Sequence, residues 1–193
     1  MKKIFAAFII ITAVSCSKET SVLPVTAATA ASQANTDSAH YIGEHFGGGI
    51  IFYLNATGKH GLIAAPEDLE EPSVWSYSDT LTHAAGVKIG AGHYNTNAIF
   101  RVQGDPGEES EDYAALECYE YESEGYTRWF LPSKDELNEL YKQKDIVGGL
   151  KPYAYWTSTE AGLSKAWFQN LGTGLQLKAS KIASYAIRPI RYF

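Results

Sequence analysis

Two compact apolar runs in the first half of the chain predict a β-hairpin. The runs Ile50 to Leu54 and Gly61 to Ala65 are separated by the turn formers Asn55, Thr57 and Gly58. Short apolar runs bounded by such residues are typical of strands joined by a tight turn. We therefore expect the folded part of the chain to open with this hairpin.

Near the C-terminus the apolar pattern changes to strict alternation. Leu175, Leu177 and Ala179 alternate with polar residues, which indicates a half-buried strand. The apolar run before the preceding Gly-Thr-Gly turn predicts its partner strand. A final strand is expected over residues 185–193, with Pro189 at an edge or a bulge because proline cannot donate a ladder hydrogen bond.

Helical signals lie between these strand segments. Ser133 and Glu136, three residues later, form a capping box that is followed by apolar residues at helical spacing. Two further helices are expected over residues 95–102 and 112–120, the second burying Cys118. Strands, then helices, then strands imply an α+β fold, with a mixed, mainly antiparallel sheet and two to three helices.

The N-terminus has the layout of a secretory signal. Lys2 and Lys3 precede an apolar run from Ile4 to Val14, and small Ser15 precedes Cys16. The apolar run is shorter than the about 20 residues that a transmembrane helix needs. We therefore interpret residues 1–16 as an export signal.

Residues 13–16 resemble the lipobox of bacterial lipoproteins. The resemblance implies that the Cys16 sulfur is lipidated and that the protein is an exported outer-membrane lipoprotein; an ordinary signal peptide is the alternative. The Ser-Lys-Glu that follows is similar to a short signal that sends some lipoproteins to the cell surface. Residues 17–40 are rich in Ser, Thr and Ala, which predicts a disordered tether, and residues 41–193 are expected to form one globular domain.

Charge and cysteine content argue against a nucleic-acid-binding protein and against a domain held together by disulfides. The net charge of −6 becomes −8 once residues 1–16, which carry two lysines and no acid, are removed. This balance argues against a nucleic-acid partner, which requires clustered basic residues. Cys118 would then be the only cysteine of the folded domain, so no internal disulfide can form, and we expect it to be a buried, inert thiol.

A set of motifs, in a fixed order, resembles one family. The segments are Gly-Gly-Gly-Ile-Ile-Phe at 47–52, Asn-Thr at 95–96, Trp-Phe-Leu-Pro-Ser at 129–133, Glu-Leu at 136–137, Tyr-Trp-Thr-Ser-Thr-Glu at 155–160, Ala-Trp at 166–167 and Ile-Arg-Pro-Ile-Arg at 187–191. Together they resemble the C-terminal domain family of the bacterial collagen-like adhesin Lcl, over about residues 41–193. The resemblance implies an adhesion domain with a distantly C-type-lectin-like fold.

Aromatic and basic residues supply the candidate ligand contacts. Tryptophan rings can stack on sugars, although core packing is the simpler interpretation for Trp129 and Trp156. Lysines on a sheet can attract an anionic glycan, although lysines on exposed strands also discourage edge pairing. The candidates are Trp75, Trp129, Trp156, Trp167, Asn95, Lys165, Lys178 and Lys181.

Catalytic and metal-binding motifs are absent from the sequence. It contains no Gly-x-Ser-x-Gly elbow, no phosphate-binding loop and no His-Glu-x-x-His, and its histidines do not recur at zinc-ligand spacings. We expect no catalysis and no cofactor. Nine acidic residues crowd residues 105–124 without a Lys or Arg; a solvated face is favoured, and a calcium site is the alternative. Arg188 is expected to pair with Glu136, because a partly buried arginine needs a carboxylate.

These observations favour a cell-envelope lipoprotein that carries a non-catalytic binding or adhesion module. The expected partners are the membrane, through the N-terminal lipid, and a glycan or another envelope or host macromolecule. A structural outer-membrane-associated protein is one alternative, and an enzyme on a C-type-lectin-like scaffold is another. Fold alone does not decide among them.

Overall fold

Three antiparallel sheets and the helices packed on them make up the protein in a computed structural model that describes residues 39–104 and 112–193. The predicted signal segment with Cys16, nearly all of the predicted tether and residues 105–111 lie outside the described residues. The described residues belong to one compact unit. None of the described helices is long and apolar enough to cross a membrane.

The described residues follow the predicted order of elements: a group of strands, then the helices, then a second group of strands. The strands are β1 (His45–Phe46), β2 (Gly49–Leu54), β3 (Gly61–Ala64), β4 (Ser73–Val74), β5 (Ala154–Gly162), β6 (Lys165–Asn170), β7 (Gln176–Ser180), β8 (Ser184–Tyr185) and β9 (Ile190–Tyr192). The helices are α1 (Gly92–Gln103), α2 (Ala114–Glu120), α3 (Lys134–Lys142) and α4 (Lys144–Val147). The α+β class is therefore confirmed, with one helix more than expected.

The sheets bring distant parts of the chain together. The four-stranded sheet has the order β1-β2-β3-β9, so the predicted β2–β3 hairpin is confirmed and the C-terminal strand lies beside it. The three-stranded sheet has the order β5-β6-β7, which leaves β7 at an edge, and β4 pairs with β8. The predicted final strand is split into β8 and β9, with Pro189 in the connection between them.

Helix α3 begins at the predicted capping box. The backbone nitrogen of Ser133 donates to Oε2 of Glu136 at 2.7 Å, and the backbone nitrogen of Glu136 donates to Oγ of Ser133 at 3.4 Å. These reciprocal bonds satisfy two otherwise unpaired donors of the first turn. Helix α1 begins at Gly92, earlier than predicted, and has no side-chain cap.

Three apolar clusters hold the elements in place. The first gathers residues of α1, α2 and β5 around Trp75 and Trp156. The second packs the inner face of the four-stranded sheet, with Phe52 and Leu62, against Leu137 of α3, and the third packs the other face of this sheet against Trp129. Burial of such side chains contributes about 1.5–3 kcal/mol each to folding. The clusters together fix the positions of all three sheets.

The structure corrects the expected burial of the C-terminal alternating strand. Leu175 and Leu177 are 59% and 51% exposed, and only Ala179 packs against the core. Leu177 lies opposite Phe168 in register, on the core-facing side, but β7 is an edge strand that overhangs the apolar cluster. The alternating pattern therefore predicted the strand correctly, but the prediction that its leucines are buried was wrong.

Arg188 also has a different partner from the one expected. Its Nε donates to Oδ1 of Asp68 at 2.7 Å, and the Tyr155 hydroxyl donates to Oδ2 of the same carboxylate at 2.6 Å. Burial and the bond to Asp68 raise the pKa of Tyr155. Glu136 is occupied by the α3 capping box, so the predicted Arg188–Glu136 pair is wrong.

Candidate functional site

Three of the four candidate tryptophans are core residues. Trp75, Trp129 and Trp156 are at most 1% exposed. Each indole N–H donates to a backbone carbonyl oxygen: Trp75 to Thr157 at 2.8 Å, Trp129 to Tyr126 at 2.8 Å and Trp156 to Ser73 at 2.9 Å. A ring that is buried and satisfied in this way cannot stack on a ligand, so their assignment as ligand contacts is corrected to core packing.

Lys181 is buried as well and does not project from the sheet. Its ammonium group lies 2.7 Å from Oε1 of Glu160 and donates to the Thr80 carbonyl oxygen at 2.8 Å. The same group lies 4.7 Å from the centre of the Trp75 ring. The chain turns inward directly after β7 ends at Ser180, which explains why the expectation for Lys181 was wrong.

Asn95 positions a loop and does not face a ligand. Its Nδ2 donates to the Gly86 carbonyl oxygen at 2.7 Å, and its Oδ1 accepts the Gly86 backbone N–H at 3.1 Å. The side chain is buried, which corrects its assignment as a ligand contact. Its role is to hold the loop before α1 against the helix.

Trp167, Lys165 and Lys178 come together on the outer face of the β5-β6-β7 sheet. Trp167 lies opposite Lys178 in register, and Lys165 lies two residues earlier on the same strand. Residues two apart on a strand, and residues directly opposite on neighbouring strands, share a face of the sheet. Trp167 is partly exposed and both lysines are exposed.

Lys134 joins this face from the first position of α3. Its ammonium nitrogen lies 4.6 Å from the centre of the Trp167 ring, and that of Lys178 lies 4.9 Å from it. The backbone of Lys134 is fixed because its N–H donates to Thr159 Oγ1 at 3.0 Å and its carbonyl oxygen accepts Gln176 Nε2 at 2.7 Å. We call these four residues, Trp167, Lys134, Lys165 and Lys178, the Trp167 platform.

Sequence reasoning missed Lys134 because nothing in its neighbourhood links it to β6. The capping box located the start of α3, but the side of the helix that faces the sheet depends on the tertiary packing. The sequence pointed to this face through Trp167, Lys165 and Lys178. The missing signal is a contact between residues far apart in the chain.

The charges of the Trp167 platform are not neutralised by the described part of the chain. Within residues 39–104 and 112–193, none of the ion pairs involves Lys134, Lys165 or Lys178. The faces of an indole ring carry negative electrostatic potential, so the ring holds the two nearest ammonium groups without cancelling their charge. The result is a local cationic surface on a protein whose net charge is −6.

Among residues 39–104 and 112–193, no group of three or more His, Cys, Asp or Glu side chains is arranged to hold a metal ion. Four of the nine acidic residues considered for calcium lie outside the described residues: Asp105, Glu108, Glu109 and Glu111. The calcium alternative is therefore untested.

Cys118 is buried in the apolar cluster around Trp75 and Trp156, as predicted. Burial, with a smaller contribution from the charge of Glu117, raises the pKa of its thiol well above the usual value. Because the thiolate is the reactive form, this environment suppresses the nucleophilicity of the sulfur. The prediction of a buried thiol is confirmed.

No protein-family model matches this chain, and no curated protein is significantly similar to it. The resemblance to the adhesin domain family consequently stays a prediction from the motifs.

Proposed function

We propose that this protein is an exported, lipid-anchored envelope protein whose folded domain is a non-catalytic binding module for an anionic glycan. The Trp167 platform is the observation that carries the proposal. It presents three lysines and one partly exposed indole on a single sheet face. The motif resemblance to an adhesin domain and the lipobox support the same assignment.

The chemistry of the platform suits carboxylate or sulfate groups. Lys134 and Lys178 both lie within 5 Å of the Trp167 ring centre, so their ammonium groups are held in place before a ligand arrives. Preorganised groups lose less conformational entropy on binding than freely rotating ones. A repeating anionic glycan could pair with these cations while its sugar carbons contact the exposed part of the indole.

A binding experiment on the mature chain tests this proposal. Titration with a sulfated or uronic-acid oligosaccharide is expected to show binding that weakens as salt is raised, because exposed charges are screened. Replacing both Lys165 and Lys178 with Gln should weaken binding at least about tenfold, which corresponds to about 1.4 kcal/mol. The matched control is Lys151→Gln, at an exposed lysine outside the platform.

Two results would contradict the proposal. One is the absence of measurable binding of either oligosaccharide at millimolar concentration. The other is an equal loss of affinity in the Lys151→Gln control and in the platform variant, since this would indicate attraction by any surface lysine.

A protein partner is the second candidate, and the β7 edge favours it. Leu163, Leu175, Leu177 and Ile182 are all more than half exposed around this strand, whose outer edge pairs with no other strand of the described residues. Open strand edges with apolar side chains are preferred sites for pairing with another chain. This alternative depends on Leu177 rather than on Lys178, so substitutions at these two positions distinguish the two candidates.

A further inference from the structure

A cleft of about 320 Å³ lies at one end of the four-stranded sheet, and none of the residues of the Trp167 platform lines it. It is formed where β2 ends, β3 begins and β9 ends, and the loop before α1 closes its fourth side. The lining residues are Tyr53, Asn55, His60, Gly61, Leu62, Ile89, Gly90, Tyr192 and Phe193. None of the sequence motifs pointed to this cleft.

The sheet register builds the apolar part of the cleft. Tyr53 lies opposite Leu62, and Leu62 lies opposite Tyr192, so two aromatic side chains flank a buried leucine across three strands. Gly61 is required next to Leu62, because a Cβ at this position would collide with the Tyr53 carbonyl oxygen. The floor is therefore apolar, and both of its sides are aromatic.

The walls are fixed by contacts outside the cleft. The Tyr192 ring packs 4.8 Å from the Phe130 ring, and burial together with the nearby Glu136 carboxylate raises the pKa of Tyr192. The same carboxylate accepts the Gly90 backbone N–H at 2.8 Å, which holds the loop carrying Ile89. Tyr192 and the loop carrying Ile89 thus both lie against one buried carboxylate, which fixes these two walls of the cleft.

Two polar groups at the rim have defined hydrogen-bonding roles. Nδ1 of His60 lies 3.3 Å from the Phe193 carbonyl oxygen, which can only accept, so in the neutral ring Nδ1 carries the proton and Nε2 is an acceptor. Oδ1 of Asn55 accepts the Thr57 backbone N–H at 3.1 Å, which fixes the orientation of the amide. Among the described residues no hydrogen bond uses the Asn55 amide nitrogen, so the rim offers one acceptor and one donor.

The lining also limits the ligand by charge and size. The lining contains no Lys, Arg, Asp or Glu, so none of these side chains is present to neutralise the charge of an ionic ligand. A volume of about 320 Å³ lies at the lower end of the 300–1,000 Å³ typical of ligand pockets, which suits a single ring. Aromatic walls favour a ligand with an apolar face, and the rim favours one with hydroxyl groups.

We infer that this cleft binds one neutral pyranose unit. The C–H faces of the sugar lie against Tyr53 and Tyr192, and its hydroxyls bond to His60 Nε2 and the Asn55 amide. This site is separate from the Trp167 platform and takes an uncharged ligand, so it goes beyond the proposed function. On a glycan with both kinds of unit, the two sites would recognise different parts.

The test uses the mature chain and a panel of methyl hexopyranosides in saturation-transfer NMR. At least one neutral glycoside is expected to receive saturation at millimolar concentration, and a titration then gives its dissociation constant. His60→Ala, which removes the acceptor at an exposed position, should weaken binding at least tenfold. A second variant, Ile89→Trp, fills the cleft from the loop and should abolish binding. It keeps the test decisive in case His60→Ala does not fold.

The control variant is His45→Ala, at an exposed histidine that does not line the cleft. The inference is overturned if no methyl glycoside in the panel receives saturation, or if His60→Ala and Ile89→Trp bind as the wild type does. Selective binding of free phenol or indole would also overturn it, because it would assign the cleft to an aromatic side chain of a peptide. The double variant Lys165→Gln, Lys178→Gln is expected to keep glycoside binding, which distinguishes failure of this inference from failure of the proposed anionic site.

Discussion

The Lys181–Glu160 pair joins a loop to the sheet beneath it. Besides the Lys181 ammonium group, the Glu160 carboxylate accepts the backbone N–H groups of Thr82 and His83 at 2.8 and 3.0 Å. Burial alone would raise the pKa of Glu160, but the hydrogen bonds from Lys181 and Thr82 and the charge of Lys181 lower it. The pair therefore holds the loop in place while Glu160 is ionised.

Glu160→Gln is expected to destabilise the protein by about 3 kcal/mol at neutral pH, because it leaves the Lys181 charge buried without a counter-charge. Since the pKa of Glu160 is lowered in the folded state, its contribution is present above the unfolded value near 4.5 and is lost as pH falls through the folded value. Urea unfolding of both proteins from pH 7 down to pH 3 measures the difference.

The matched comparison for this prediction is Lys178→Gln, at an exposed position on the edge strand of the same sheet. It should change stability by less than about 0.5 kcal/mol. A Glu160→Gln difference that stays constant down to pH 3 would contradict the assignment of the low pKa to this pair.

Lys181 also shows why local sequence could not separate site residues from core residues. Lys178 and Lys181 lie in the same polar stretch, and one is exposed while the other is fully buried. The partner of Lys181 is 21 residues away, and the apolar residues that share the buried cluster with Trp75 come from other elements. Periodicity describes one element at a time, so it cannot report partners of this kind.

The contact between α1 and α3 depends on a single glycine. A Cβ at Gly92 would collide with Oε2 of Glu136 and would lie 2.9 Å from the Leu131 carbonyl oxygen. Because the carboxylate is already held by the α3 capping box, it cannot move away without breaking those bonds. The close approach of the two helices therefore requires glycine.

Gly92→Ala should consequently lower the free energy of unfolding by about 1–3 kcal/mol, the usual cost of overpacking. Helix propensity alone predicts the opposite sign, since alanine is favoured over glycine by about 0.5–1 kcal/mol within a helix. Thermal unfolding followed by circular dichroism gives the result. Tyr94→Ala, on the exposed side of the same helix, serves as the control, and a stabilised Gly92→Ala protein would disprove the contact.

The first residues of helices α1 and α3 differ in how well the sequence predicts them. The start of α3 was predictable because both capping residues lie within one turn. The start of α1 was not, because no residue there caps the helix and its first position is set by the contact with Glu136. Helix starts that depend on residues within one turn can be predicted from the sequence, and those that depend on tertiary packing cannot.

Across the folded domain, the order of elements was enough to predict an α+β class, because each segment keeps its own periodicity. The pairing of β9 with β3 and the edge position of β7 were not predictable, since both depend on which strands meet after folding. The same limit applies to the Trp167 platform and the cleft, each of which combines residues from several elements.

The lipid anchor is a prediction from the N-terminal sequence around Cys16. Cys16→Ser should prevent acylation, and the protein should move from the membrane fraction to the soluble fraction of broken cells, because acyl chains each contribute about 0.8 kcal/mol per buried methylene to membrane binding. Mass spectrometry of the wild-type mature protein should show acyl chains on an N-terminal Cys16. An unacylated mature chain would disprove the anchor.

The unequal burial of the four tryptophans gives the protein a natural optical probe. Trp75, Trp129 and Trp156 are shielded from solvent, whereas Trp167 is partly exposed at the proposed anionic site. A water-soluble quencher such as acrylamide would therefore act mainly on the emission of Trp167. Protection of this fluorescence by an added oligosaccharide would report occupancy of the platform without any label.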